Sequence, residues 1–457
     1  MNSNGQKKKA DFTEGSIIGS ILKMGLPSMF GFLSQNIYTL VDTYWVSRLP
    51  EEEAAVAALT FFGTILWMFF SFNQLVGPGS VAVISRRYGE KEYELVEKAI
   101  KETLFLKLFF GFLFGIIGYF TVDEMLLLMG AKDLAFTLGV EYGKIMFLGM
   151  GIMFATYSIF TAMRGVANPQ MAMILMIGSN VLNMILDPIF IFGYYSFPAM
   201  GVEGAAYASV VSFSLTFIIG MYLFYFDYTS VRLKLKSTVK ISLKSMWKLL
   251  KIGIPAWAGS MSFSGARLII MPLIATFGTN VVAAYGIGNQ ITALGIMILV
   301  GIGLGLSSLI GHNIGSGKIE RAKKTADQAI YLSVGLMIFF GVISFIFSSQ
   351  IIKLFFEAEE TVRIGTIMLK IFAVGYPFLG MFFMVEEIHM GVGLNTPTMI
   401  MNIIHSWIFE VIPIYFLTQY LGYSEVAIWW IITIAGTITS LMFYWYYKRG
   451  RWLTVKV

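Results

Sequence analysis

Apolar runs fall at roughly 17–46, 54–77, 103–120, 138–163, 170–193 and 203–226, and again at roughly 247–275, 282–308, 328–350, 364–390, 398–418 and 425–447. Each is long enough for a helix to cross a bilayer core of about 30 Å. Some exceed the ~20 residues that such a crossing needs, so tilt, kinks or interfacial extensions are expected. The pattern predicts an all-α polytopic membrane protein with twelve transmembrane helices in two six-helix lobes. Its expected parts are a tail over 1–16, an N-lobe over 17–226, a basic linker over 227–246, a C-lobe over 247–447 and a tail over 448–457. Pro27, Pro255, Pro377 and Pro413 lie inside runs and mark expected kinks.

The two halves repeat each other. Lys23-Met-Gly25-Leu-Pro27 returns as Lys251-Ile-Gly253-Ile-Pro255, and Val56-Ala-Ala58 returns as Val282-Ala-Ala284. Ser85-Arg-Arg-Tyr-Gly89 returns as Gly311-His-Asn-Ile-Gly315, and Arg164-Gly165-Val166 as Met390-Gly391-Val392. Because each copy has six spans, both copies face the same way, related by a pseudo-twofold axis along the membrane normal. Parallel repeats of this kind point to a transporter that alternates access between two lobes.

Composition sharpens the class. The 457 residues are 57% hydrophobic and 13% charged, with mean hydropathy +0.73, more apolar surface than a soluble core needs. No cysteine is present, which excludes thiol chemistry and thiolate-bound metal. The net charge of +6 is a topology mark rather than a nucleic-acid patch. Most cations fall on one side, many in the stretch holding Arg232, Lys234, Lys236, Lys240, Lys244, Lys248 and Lys251. Only Arg48, Lys132, Lys353 and Arg363 fall in loops on the other side, beside Glu51, Glu52, Glu53, Glu359 and Glu360. The bias puts both termini in the cytoplasm of a multi-pass inner (plasma) membrane protein.

One stretch breaks the apolar pattern at depth. Asp187 sits inside Ser179–Phe192, with Asn183 one helical turn earlier on the same face. Pro188 leaves the Met184 carbonyl without its helical donor. A carboxylate in hydrocarbon costs several kcal/mol and marks a functional site by default. Asp42 falls at a similar depth in the first span, with Gln35, Tyr38 and Trp45 on the same face. Burial and like charge both oppose ionisation of such a pair, which makes protonation a switch; carboxylate, amide and hydroxyl oxygens would equally suit sodium. An aromatic and acidic face suits an organic cation, although Trp45 equally fits the outer aromatic belt.

Taken in order, Gln35-Asn-Ile-Tyr38-Thr-Leu-Val-Asp42-Thr-Tyr-Trp45, Arg164-Gly165, Asn183 to Phe190 ahead of Gly193, and Gly204-Ala-Ala-Tyr-Ala-Ser209 resemble the multidrug and toxic compound extrusion (MATE) family. The aspartate pair resembles its DinF-type branch. The resemblance covers nearly the whole chain and implies a V-shaped exporter of cationic amphipathic compounds driven by entering protons or sodium. It implies ion coupling at Asp42 and Asp187, with Asn183 and Ser209 at matching polar positions; the shared face of the first span separately offers Gln35, Tyr38, Trp45 and Asp42 for substrate contact. If sodium is the ion, Asp42, Asp187 and Asn183 would bind it. Two departures stand out: Ser209 replaces a commoner threonine, and Thr156 and Tyr157 replace a pair of asparagines. No cofactor is implied; the expected partners are small organic cations and the bilayer, with the chain a monomer.

The C-lobe carries Arg267, Lys370, Glu386, Glu387, His389, His405 and Glu410. Arg267, Lys370 and Glu410 fall at similar depth and are expected to form a charge-compensated structural cluster. Glu386, Glu387 and His389 are expected near the cytoplasm, with a second proton site as the sharper reading. Ile270 stands opposite Asp42 in the repeat, so coupling is expected in the N-lobe alone. Two rivals remain. A lipid or polysaccharide-precursor flippase of the same superfamily would carry more cavity arginine. A membrane-embedded prenyltransferase-like enzyme would need paired aspartate-rich motifs, and no DxxxD or DDxxD exists in the chain.

Overall fold

Each apolar run forms a helix, and most helices outrun their runs. The computed structural model describes residues 11–194, 197–234 and 240–455; expectations that fall on 1–10, Lys236 or 456–457 lie outside the described residues. The spans are α1 (Ile17–Val46), α2 (Glu52–Gly89), α3 (Tyr93–Leu128), α4 (Asp133–Gly165), α5 (Pro169–Phe192) and α6 (Gly201–Tyr225). After the basic stretch come α7 (Leu243–Ala275), α8 (Thr279–Gly315), α9 (Ile319–Ile346), α10 (Glu359–Val392), α11 (Thr396–Tyr420) and α12 (Glu425–Lys448).

The added turns are polar on one side because they hold other parts of the chain. α3 starts well before its apolar run, and its Glu97 accepts from Lys101 Nζ at 2.7 Å and from the Lys234 backbone N–H at 2.9 Å. Glu102 accepts from the Ser242 N–H at 2.9 Å. The described parts of the linker are thus docked on α3, and α7 begins at Leu243, earlier than its hydropathy suggests.

Two helices are irregular. α2 tightens into a 3-10 turn at Phe72–Leu75 and resumes as α-helix at Gly77. Lys107, 4% exposed, reaches over from α3 and donates to the Asn73 carbonyl at 2.7 Å. The cation stands beside the helix break because the break frees a carbonyl for it. In α11, π-helical turns occupy Ile404–Val411 and Phe416–Tyr420, flanking Pro413, whose missing N–H disrupts the regular ladder. Pro27, Pro255 and Pro377 instead lie within continuous helices.

α1 through α6 pack around cores that include Phe62, Phe147 and Phe154 on one side and Ile84, Ile100 and Met163 on the other. The C-lobe core is built chiefly from α8, α9, α10 and α12, with Trp429 and Phe443 fully buried. α1 and α7 each change partners along their length. Below Pro27, Ile21 and Met24 of α1 belong to the C-lobe core, whereas Gln35 and Tyr38 bond to N-lobe residues. α7 mirrors this: Trp257 stacks on Phe72 of α2 at 5.6 Å, while Ser262 and Arg267 bond within the C-lobe.

The lobes meet at the end that carries both chain termini. There the backbones touch in pairs that obey the sequence repeat. A Cβ on Gly89 would lie 2.3 Å from the His312 carbonyl oxygen, and one on Gly315 would lie 2.1 Å from the Arg86 carbonyl oxygen. Gly253 stands in the same relation to Leu75, and its counterpart Gly25 packs on Ile302. Both tails cross the seam. Lys318 Nζ donates to Thr13 Oγ1 at 2.9 Å and Arg321 Nη1 to the Gly15 carbonyl at 2.9 Å, while Arg86 Nη1 donates to the Val455 carbonyl at 2.6 Å. Phe12 packs against the cores of both lobes.

Candidate functional site

α5 ends at Gly193, whose φ of 75° is the left-handed conformation that stops a helix and suits glycine. The chain turns back into α6, and Gly204 seats α6 on α5: a Cβ there would lie 2.6 Å from the Phe190 carbonyl carbon. That approach brings Ser209 level with Asn183. The Asn183 amide, oriented by its neighbours, donates from nitrogen to Asp187 Oδ2 at 3.0 Å. Its oxygen accepts from Ser209 N at 3.0 Å and from Ser209 Oγ at 3.2 Å.

α1 lies along α5 and is tied to the lobe by successive rungs. Asn180 Nδ2 donates to Ser34 Oγ at 2.7 Å, the Gln35 amide donates to the Tyr157 hydroxyl, and Tyr38 Oη bonds Ser209 Oγ at 3.0 Å. One turn further out stands Asp42, 6% exposed, with no hydrogen-bond partner for Oδ1. Asp187 is fully buried and close enough to Asp42 for their charges to interact. The structure therefore brings together Asp42, Asp187, Asn183, Ser209, Tyr38 and Gln35. Beside Gln35 lies a cavity of about 10 Å³, lined by Tyr157, Ser179 and Asn180 among others, space for roughly one water.

Trp45, seven residues after Tyr38 on α1, meets the end of α5. It packs edge-on against Phe192, ring centroids 6.2 Å apart, in the outer part of the N-lobe core. Other residues join the site as well. Tyr142, 5% exposed, lies within electrostatic reach of both aspartates. Tyr157, noted in the sequence only as a departure, is the partner of Gln35, while Thr156 bonds the Phe213 carbonyl at 3.1 Å and so joins α4 to α6. Asn180 was legible in principle, since 180, 183 and 187 share a helix face.

The arrangement can accommodate a proton. As it stands, Asp187 Oδ2 is an acceptor. Protonated at that oxygen it would donate, which requires the Asn183 amide to turn over; the amide nitrogen then finds the Ser209 hydroxyl 3.2 Å away but gives up the bond from the Ser209 N–H, so the turn has a cost. Because Ser209 also bonds Tyr38, such a change is felt on α1. For sodium, Asn183 presents its nitrogen, not its oxygen, toward Asp187. Among the described residues no group of three or more His, Asp or Glu could hold a metal ion.

The C-lobe cluster forms without Lys370. Arg267 Nη2 lies 3.0 Å from Glu410 Oε1, and Arg267 Nη1 donates to the Tyr285 hydroxyl at 3.2 Å. His405 Nε2 is 3.8 Å from Glu410 Oε2. Lys370 is exposed and lies over the Phe345 ring at 5.6 Å, because equal depth does not make an equal helix face. Its repeat counterpart Lys144 pairs with Asp123 at 3.2 Å. Glu386, Glu387 and His389 do not face solvent at the terminal end: Glu387 and His389 are buried, and Glu386 accepts from Asn402 at 3.3 Å.

Comparison with known proteins agrees with this architecture. The MatE family model matches residues 27–189 and 255–416, one copy per lobe. The chain is 27% identical to the probable multidrug resistance protein YoeA of Bacillus subtilis, over 93% of this chain and 92% of that one. It is 26% identical to the multidrug export protein MepA of Staphylococcus aureus, over 94% and 93%. A solved outward-facing multidrug resistance transporter of the MATE family superposes with a TM-score of 0.88 at 25% identity, covering 99% of this chain and all of that one. The chain therefore belongs to the MatE family of multi-pass membrane transporters and is not an enzyme.

Proposed function

We propose that the chain is a secondary active multidrug exporter of the DinF-type branch, moving cationic amphipathic organic compounds outward against inward protons or sodium. The observation that carries the reading is the buried Asp42/Asp187 pair, linked through Asn183, Ser209 and Tyr38 across α5, α6 and α1. The lysine and arginine bias supports cytoplasmic termini, which makes the closed seam the inner gate. Two carboxylates so placed attract an organic cation when ionised and release it when protonated. A proton arriving from outside at the pair thus competes with substrate. It also changes the hydrogen bonds that tie α1 above Pro27 to the N-lobe, while α1 below Pro27 stays with the C-lobe. Proline leaves the Lys23 carbonyl without a helical donor, so the helix can flex at that changeover.

The C-lobe argues for a cation rather than an anionic lipid headgroup as cargo, because Arg267 is already neutralised by Glu410. The test is efflux of a fluorescent organic cation from proteoliposomes under separately imposed proton and sodium gradients, for wild type, Asp42→Asn and Asp187→Asn. Transport driven by one gradient and lost in both variants supports the reading and names the ion. Full gradient-driven transport in both variants would refute the coupling role.

A further inference from the structure

Glu387 is a buried carboxyl to which the N-lobe coupling scheme gives no task. It is 8% exposed, and its Oε2 has no hydrogen-bond partner. Its stem is pressed against α8: a Cβ on Gly303 would stand 2.5 Å from Glu387 Cγ, and Ser307 lies beside the carboxyl. The opposing charge comes from the other lobe. Arg164, in the last turn of α4 and 6% exposed, donates to Thr161 Oγ1 at 3.3 Å and lies within electrostatic reach of Glu387, beyond direct ion-pair distance. The next residue, Gly165, gives its carbonyl to His312 Nε2 of α8 at 2.7 Å, so Arg164 stands where the lobes touch. Arg164 and Met390 are counterparts in the repeat, and Glu387 lies one turn before Met390. The seam therefore receives a cation from one lobe and an anion from the other at nearly matched positions.

We propose that Glu387 is a second proton-binding carboxylate of the transport cycle, which holds the terminal-side seam closed against Arg164 when ionised and releases it when protonated. Its part in transport rests on the exporter reading; its effect on the seam does not. The proton enters from water on the terminal side and returns there. Once Glu387 is neutral, Arg164 is left buried without its counter-charge, a costly state that opening relieves by hydration.

Of the other charged and titratable groups around Glu387, the adjacent Glu386 carboxyl is close enough to repel it, and the rest are engaged elsewhere. On α10, Glu386 is bonded to Asn402 of α11, and His389 Nδ1 is bonded to the Val385 carbonyl. On α8, His312 is bonded to Gly165. On α2, Arg86 and Arg87 pair with Glu90, and Arg87 also with Glu92. On α9 and α12, Asp327 takes Lys448 and Tyr447, and on α11 His405 faces Glu410.

The chain has no native cysteine, so Glu94→Cys and Glu320→Cys, at the exposed starts of α3 and α9, give unique spin labels, one on each lobe. Inter-label distances are read in nanodiscs between pH 8 and pH 5.5. Asp42→Asn and Asp187→Asn are present throughout, so that the N-lobe pair cannot supply the response. The long-distance population should rise about threefold as pH falls, the size of shift that about 0.6 kcal/mol produces. Glu387→Gln should hold it high and flat at every pH, Arg164→Gln should reverse the response because ionised Glu387 is then the charge without a partner, and Glu386→Gln should keep the response. A pH response surviving in Glu387→Gln, its absence without that change, or its loss in Glu386→Gln would each overturn the proposal. No substrate is needed, so the result is independent of whether the chain exports drugs.

Discussion

Gly89 and Gly315 are exchanged across the pseudo-twofold axis: each lies against the carbonyl of the residue, His312 or Arg86, that precedes the other glycine by three. The contact is backbone on backbone, which no rotamer change can relieve. Gly89→Ala or Gly315→Ala should therefore leave each lobe folded while preventing full closure at the terminal end. The expected result is a loss of about tenfold or more in efflux, the size that 1.4 kcal/mol against the closed state produces. Unfolding temperature should be little changed; a variant that closes and transports normally would contradict the geometry.

Removing the amide from the N-lobe site should separate stability from transport. Asn183→Ala strips Asp187 of the donor to Oδ2 and Ser209 of its acceptor, a loss of about 1–3 kcal/mol for a buried unsatisfied group. Thermal unfolding should shift downward in the ionised state and recover in Asn183→Ala/Asp187→Asn. No recovery in the double variant would argue against the Asn183–Asp187 bond.

The C-lobe pair lends itself to a double-mutant cycle. Arg267→Met leaves fully buried Glu410 with His405 as its one remaining neighbour of possible opposite charge among the described residues, which should cost up to about 3–5 kcal/mol. Arg267→Met/Glu410→Leu should regain most of it, with drug efflux retained. If the double variant is as unstable as the single one, the ion pair is not what holds α7 to α11.

Lys107 offers a cleaner readout of the α2 break. Lys107→Met keeps the stem and removes the charged donor to the Asn73 carbonyl, a bond worth about 1.5–3 kcal/mol. Hydrogen exchange should quicken at residues 72–76 while the remainder of α2 stays protected. Uniform exchange across α2 would show that the break does not depend on that lysine.

The spans, the repeat and the buried aspartates were readable from the chain because each is a violation or a recurrence that one dimension displays. A charge inside an apolar run, as at Asp187, needs no neighbour to be noticed. Tyr142 and Tyr157 gave no such sign, since a tyrosine in an apolar helix reads as packing until its hydroxyl finds a partner. Lys370 and Arg267 looked alike in depth and differ in azimuth, which depends on how α7 and α10 are rotated in the lobe. The burial of Glu387 was invisible for a related reason: only the packing of α10 on α8 removes its water.

The tails that cross the seam have a consequence for how opening is timed. When Phe12 to Gly15 and the segment around Val455 let go of Arg321, Lys318 and Arg86, each freed residue regains about 1–2 kcal/mol of backbone entropy. The freed motion offsets part of the contacts broken, so the clasp weakens with temperature faster than the glycine seam beneath it. Lengthening or tagging either end therefore alters the pace of the cycle without touching a single residue that meets ion or drug.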